Sequence, residues 1–205
     1  PKPAPQQVVI VPIHKTDDER GRVLEKAESV RRMLLDTGVR AKVDGREHLS
    51  AGAKFYEWET KGVPFRIEVG PKDIAKGQVV LARRVVGEGE DRKQFLPEAE
   101  VLGSMQRRLD EFQEFLLERA RARREANSHR GVADYERFRE IVEGPGGFVY
   151  TGWCGSTECE ARVKEETRAT IRCLPFEEFR SAEAPAKCVV CGGESVVEAV
   201  WAKAY

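Results

Sequence analysis

Gln7–Ile13 reads QVVIVPI, a short, almost wholly apolar run of the kind that fills the centre of a sheet covered on both faces. Working outward, Asp17 or Asp18 stands where a cap is needed for a helix to about Thr37, along which Val23, Ala27, Val30 and Leu34 recur at steps of four, three and four. Gly38 stops that helix, and Val39–Asp44 reads as a second strand. Strand, helix and strand make a βαβ-like unit with its crossover. The fold class expected is α/β: a mixed sheet flanked by helices, followed by a small α+β domain.

Ser50–Thr60 reads as a helix with Phe55 and Glu59 on one face. Pro64–Val69 alternates strictly, Phe65, Ile67 and Val69 pointing one way and Arg66 and Glu68 the other, which predicts a half-buried strand with one polar face. Gly70-Pro71 breaks it, Asp73–Gly77 turns the chain, Gln78–Val86 returns as a strand, and Lys93–Leu96 reads as an edge strand. A long helix is expected over Glu98–Ala126, with Val101, Met105, Leu109, Phe112 and Leu116 as its buried stripe and Arg119, Arg121, Arg123 and Arg124 at its end. A helix over Val132–Val142 precedes the breaker Gly144–Gly147. The remainder reads as strand Phe148–Trp153, helix Cys159–Arg168, strand Thr170–Leu174 and strand Val196–Trp201. The organisation expected is a linker at 1–7 (PKPAPQQ), an α/β domain at 8–120 and a C-terminal domain at 121–205. Beginning at Pro1 with a linker, the chain reads as a piece that follows something larger.

Charges balance at 35 against 35, so no global electrostatic pull toward nucleic acid exists. Locally, seven basic residues face four acidic ones between Lys54 and Arg84. No apolar run is long enough to span a membrane. His14, His48 and His129 have no nucleophile pattern beside them, and Gly87-Glu88-Gly89 is a hairpin turn and not a phosphate cradle. The residues present no active site of their own.

Four of the five cysteines form pairs, Cys154 with Cys159 (C-x4-C) and, 28 residues on, Cys188 with Cys191 (C-x2-C). Two short-spaced thiol pairs suit a tetrahedral zinc ion; the alternatives are two disulfides or four unrelated buried thiols, and the glycines after Cys191 weigh toward zinc. Gly192 and Gly193 are expected at positive φ, bringing backbone amides to the sulfurs. Four thiolates fill the shell, which makes the Zn2+ structural. Cys173 is expected to be a plain buried thiol.

Gly52–Arg84, GAKFYEWETKGVPFRIEVGPKDIAKGQVVLARR, following VVIVPI, resembles the anticodon-binding domain of class IIa aminoacyl-tRNA synthetases. The tail, WCGSTECEARVKEETRATIRCLPF, KCVVCGG and the terminal Tyr205, is similar to the zinc-binding extension of prolyl-tRNA synthetases of the archaeal and eukaryotic type. The resemblance implies a tRNA-recognition portion of a cytoplasmic proline–tRNA ligase. Its ATP-dependent, Mg2+-dependent catalysis lies in an upstream domain whose signature motifs are absent here, so the segment alone is expected to be inactive. It further implies as partners the anticodon stem-loop of proline tRNA, the chain's own catalytic domain and, at full length, a second copy, with no membrane. Proline anticodons end in two guanines, whose edges offer paired donors to a carboxylate, while unstacked bases want an aromatic or guanidinium face. On that basis anticodon recognition carries over to Phe55, Glu59, Arg66, Lys72 and Asp73, with Arg83 and Arg84 as phosphate contacts and the Tyr205 carboxylate reaching toward the catalytic domain. The alternative is a stand-alone zinc-containing protein- or RNA-binding module.

Overall fold

The computed structural model describes residues 5–203, so most of the expected linker (Pro1–Ala4) and Tyr205 lie outside the described residues. The chain divides into two compact units between Leu117 and Glu118.

The first unit runs β1 (Val8–Pro12), α1 (Asp17–Asp36), β2 (Ala41–Val43), α2 (Ala51–Thr60), β3 (Phe65–Val69), α3 (Pro71–Ala75), β4 (Gln78–Arg83), β5 (Lys93–Pro97) and α4 (Glu98–Ala126), the division falling inside α4. Its five-stranded sheet has the order β2-β1-β3-β4-β5. β1 is parallel to β2 and β3, as the βαβ reading requires, whereas β3–β4 and β4–β5 are antiparallel. Alternation in the central strands sends Val8, Ile10, Phe65, Ile67, Val79 and Leu81 to a core shared with α1 and α4. Val9 and Val11 go to the opposite face, against Trp58 of α2 and Val63.

Several local expectations change. Thr16, not Asp17 or Asp18, caps α1, its hydroxyl accepting from Glu19 N at 3.3 Å, which leaves both aspartates in the first turn, where the helix dipole favours them. The turn after Gly70 is a single helical turn opened by Pro71 at its first position. The return strand stops at Arg83, short of Val86. All of β3 is buried, Arg66 and Glu68 being only 6 % exposed, because a strand in the middle of a sheet with a helix on each side has no solvent face.

α2 is tied to the sheet by a carboxylate that the pattern reading passed over. Asp44, 3 % exposed and directly after β2, accepts from Trp58 Nε1 at 2.8 Å and from Arg46 Nε and Nη2 at 2.9 and 2.7 Å, and its backbone oxygen takes the buried Lys54 Nζ at 3.2 Å. The Arg46 guanidinium, aided by the indole N–H, holds the Asp44 carboxyl far below the usual range.

The second unit, β6 (Ser128–His129), α5 (Tyr135–Glu143), β7 (Phe148–Trp153), α6 (Thr157–Thr167), β8 (Ala169–Cys173) and β9 (Val197–Lys203), forms a four-stranded sheet of order β6-β7-β9-β8. Its core gathers Phe138, Ile141 and Val163 from the helices against Val149, Ala199 and Trp201 from the sheet, Phe138 meeting Trp201 edge-on at 6.0 Å. α5 begins later than expected because Asp134 caps it, accepting from Arg137 N at 2.8 Å. β6 was not expected; two residues are too short for a period to register.

Asp44→Asn is expected to cost about 2 kcal/mol in urea unfolding at pH 7, through the loss of charge-assisted hydrogen bonds. Because the folded-state pKa is depressed, Asp44 contributes fully above about pH 4 and progressively less as pH falls below that. The difference between wild type and Asp44→Asn should therefore shrink in acid; a constant difference from pH 7 to pH 3 would remove the carboxylate's role.

Candidate nucleic-acid interface and metal centre

Helical spacing sets Phe55 and Glu59 one turn apart on α2, and strand alternation aims Arg66 at the same face. The Arg66 guanidinium lies 3.7 Å from the centre of the Phe55 ring, donates to Glu59 Oε1 at 2.8 Å, and pairs with Glu68 Oε1 at 2.9 Å. A buried guanidinium and a buried carboxylate are expensive to desolvate unless each finds partners, and here they find each other. The strand register extends the cluster. Arg66 lies opposite Ala82 and Ala82 opposite Lys93; Glu68 lies opposite Val80 and Val80 opposite Phe95. Lys93 Nζ accordingly reaches Glu68 at 2.8 Å and stands 5.1 Å from the Phe55 ring. Arg92 Nη2 holds the second oxygen of Glu59 at 2.7 Å. Phe95, 67 % exposed and two residues along β5 from Lys93, adds a second ring to a surface of cations over two carboxylates.

Phe55, Glu59 and Arg66 are thus brought together. Lys72 and Asp73 are not part of that cluster: they sit in α3, past the far end of β3, about 13 Å along the strand from Arg66. Lys72 is exposed, and Asp73 Oδ1 accepts from Gln78 Nε2 at 3.1 Å. Arg83 shares the face of Phe65, opposite to Arg66, and stacks over Phe115 at 4.4 Å, while Arg84 lies 5.7 Å from Phe112; both are half-buried. Arg92, Lys93 and Phe95 were missed in the sequence. The alternation of Lys93 and Phe95 is legible there, but which face they share depends on the β4–β5 register.

The four paired cysteines converge in the second unit. β7 delivers Cys154, the first turn of α6 holds Cys159, and a knuckle carries Cys188 and Cys191. The Ser156 hydroxyl caps α6 by accepting from Cys159 N at 3.3 Å. The knuckle is closed by Cys188 N to Gly193 O at 2.8 Å and Gly192 N to Cys188 O at 2.9 Å, and Val189 N docks it on Gly152 O at 3.0 Å. Of its two glycines only Gly192 has positive φ, at 71°, a correction to the expected pair. Gly193 is not at positive φ, and a Cβ there would make an ordinary contact with Cys191 Sγ at 3.4 Å.

All four sulfurs lie within 4.8 Å of one another, with Cys154–Cys159 at 3.6 Å and Cys191–Cys154 at 3.8 Å. A disulfide brings its sulfurs to about 2.0 Å, whereas four thiolates about 2.3 Å from a central ion stand about 3.8 Å apart. Burial, with the Cys154 and Cys191 thiols beside it, pushes the Cys159 thiol up to about 12. Burial also opposes ionisation of Cys188, yet the backbone amides of Cys191 and Val190 hold it down to about 7. Such a crowd of sulfurs calls for a cation at its centre, and the donor set fits a metal ion. Cys173, by contrast, is exposed, a correction to the buried thiol expected: β8 is an edge strand and its register shifts between Ile171 and Cys173.

A mixed sheet with helices on both faces and a charged, ring-bearing patch, followed by a four-thiol unit, defines a two-part α/β protein whose tail has a cysteine cluster able to hold a metal ion. Residues 7–108 match the anticodon binding domain family, and residues 135–205 match the C-terminal domain of prolyl-tRNA synthetase. Over its whole length the chain is 44 % identical to a proline–tRNA ligase of Chloroflexus aurantiacus (strain ATCC 29366), of which it covers 41 %. It is 42 % identical, again over its whole length, to proline–tRNA ligase 2 of Clostridioides difficile (strain 630), covering 40 % of it, and 44 % identical to the enzyme of Oceanobacillus iheyensis, covering 40 %. The chain therefore spans about 41 % of the length of the curated relatives it matches. It belongs to the prolyl-tRNA synthetase family, as the C-terminal portion.

Arg66→Ala leaves Glu68 buried with Lys93 alone and should destabilise the first unit by about 3–5 kcal/mol. Denaturant titration checks it; a loss under 1 kcal/mol would mean water satisfies Glu68 without the guanidinium.

Proposed function

We propose that this chain is the tRNA-recognition, zinc-bearing C-terminal portion of a proline–tRNA ligase, gripping the anticodon stem-loop of proline tRNA on the face made by α2, β3 and β5. The observation that carries the reading is the cluster of Phe55, Glu59 and Arg66, assembled within the residues that match an anticodon-binding domain. Arg66 has two tasks: it backs one face of Phe55 and orients Glu59 through Oε1. Among the described residues Oε2 is held only by the more exposed Arg92, which can swing to a phosphate and release that edge to the donors of a guanine. Phe95 offers a second ring for an unstacked base. Asp73 supplies a further carboxylate beyond the other end of β3, with Lys72 beside it for a phosphate.

Cys154, Cys159, Cys188 and Cys191 are the zinc ligands in this reading. A bound zinc ion supplies the positive charge that lets four thiolates share one point, and the filled shell makes it structural. In this reading the functional domains run over 8–120 and 121–205, their boundary lying in α4 a few residues past the division of the compact units. Proline activation with ATP and Mg2+ is assigned to an upstream domain, the full-length chain being a cytoplasmic homodimer.

Filter binding should show the chain preferring proline tRNA over the same tRNA with its two anticodon guanines replaced, and equal affinity would end this reading. Asp73→Ala should weaken cognate binding by ~1–3 kcal/mol without lowering Tm; unchanged affinity would take Asp73 off the interface. The purified chain should carry one zinc per molecule, and Cys188→Ser should lose the metal and the cooperative unfolding of the second unit. Sulfurs paired as disulfides, with no zinc, would refute the metal assignment.

A further inference from the structure

We infer that the second unit carries a groove for an RNA phosphate backbone, separate from the anticodon face and built where the end of α4, the start of β7, the bulge of β8 and the end of β9 come together. The inference rests on the tRNA reading above for the identity of its RNA.

The groove encloses about 760 Å3 and is lined by Arg123 and Arg124 of α4, Arg172 of β8 and Lys203 of β9, with the Phe148 ring, 39 % exposed, among them. No carboxylate lines it among the described residues. Among the described residues none of these four cations makes an ion pair within 4 Å, although Arg124 feels the charge of Glu125 at longer range and neighbouring arginines do pair: Arg121 with Glu118 at 2.6 Å, Arg130 with Glu125 at 3.2 Å and Arg162 with Glu166 at 2.8 Å. The unit as a whole is not basic, holding 14 Lys and Arg against 15 Asp and Glu over residues 118–205. The convergence of these cations is therefore local, and like charges held together with no carboxylate among the described lining residues repel one another less once an anion joins them.

The backbone around the groove has specific features that create it. Phe148 N donates to Asn127 O at 2.8 Å, stitching β7 to the end of α4. That approach requires Gly147, whose φ is 110° and where a Cβ would lie 2.4 Å from Asn127 O. In β8, Ile171 pairs with Trp201 and Cys173 with Val200, so Arg172 is the extra residue of a bulge. Bulges re-aim side chains, and this one turns an arginine into the groove. Guanidinium forks match phosphate oxygens in two-point contacts. A phosphodiester chain uses both the cations and the ring, by stacking a base on Phe148, whereas an acidic protein segment would use the cations alone.

The test compares the zinc-loaded 205-residue chain with a triple variant, Arg123→Ala/Arg172→Ala/Lys203→Ala, and its charge-keeping control Arg123→Lys/Arg172→Lys. Each binds proline tRNA and the guanine-replaced tRNA over a salt series. The triple variant should lose about tenfold or more in affinity for both RNAs, and its log-affinity against log-salt slope should flatten by about 2–3. The cognate preference should be unchanged, and the control should keep most of the slope. Wild-type affinity and slope in a triple variant of unchanged Tm would overturn the groove, leaving it to a protein partner, while the guanine preference could still stand. Conversely, a uniform loss without any guanine preference in the wild type would sink the anticodon reading and keep the groove.

Discussion

A guanidinium buried in the middle strand of a sheet cannot be left alone. Arg66 is that group, and what surrounds it answers the cost of taking its charge from water. Glu68 shares its strand and Glu59 approaches from α2, so the helix must dock in one rotation, with Phe55 under the guanidinium. Lys93 then comes in from β5 to balance Glu68. A purely apolar face would tolerate sliding of α2, since dispersion and hydrophobic burial have little direction. Ion pairs and the Asp44–Trp58 hydrogen bond do not. The patch proposed for RNA is in this sense the outer rim of a structural network, and its side chains are held in place by that network.

The second unit solves a different problem. It is small, and its sheet adds a two-residue strand, β6, to three longer ones. Its four sulfurs draw on the turn from β7 into α6 and on the knuckle, two segments distant in sequence, so a cation among them would tie together parts that the modest core cannot secure alone. The same unit sets its groove arginines beside an exposed ring, apart from the sulfurs, so the two proposed roles draw on different residues.

How much of this could be seen beforehand varied with the period of the signal. The strict alternation of Pro64–Val69 and the long stripe of α4 were legible because each repeats over many residues. The polar face of β3 was misjudged as solvent-facing, since alternation says which residues share a side but not what covers that side. Thr16 lost to its neighbouring aspartates as the expected cap for a similar reason: three capping residues in a row differ only in backbone conformation. Cys173 was expected in an apolar strand, and a bulge at the sheet edge put it outside.

By itself the sequence determined the parallel core of the first unit, the pairing of four cysteines at short spacing and the residues of α2 and of β3 that share a face. These follow from local spacing, which the backbone's two periods convert directly into faces. Only the tertiary structure decided that Arg92, Lys93 and Phe95 join Glu59 and Phe55, that Lys72 and Asp73 stand apart from them, and that Arg172 turns toward Arg123. Each of those depends on strand register or a bulge, and a shift of one residue would reverse the side on which every later side chain emerges.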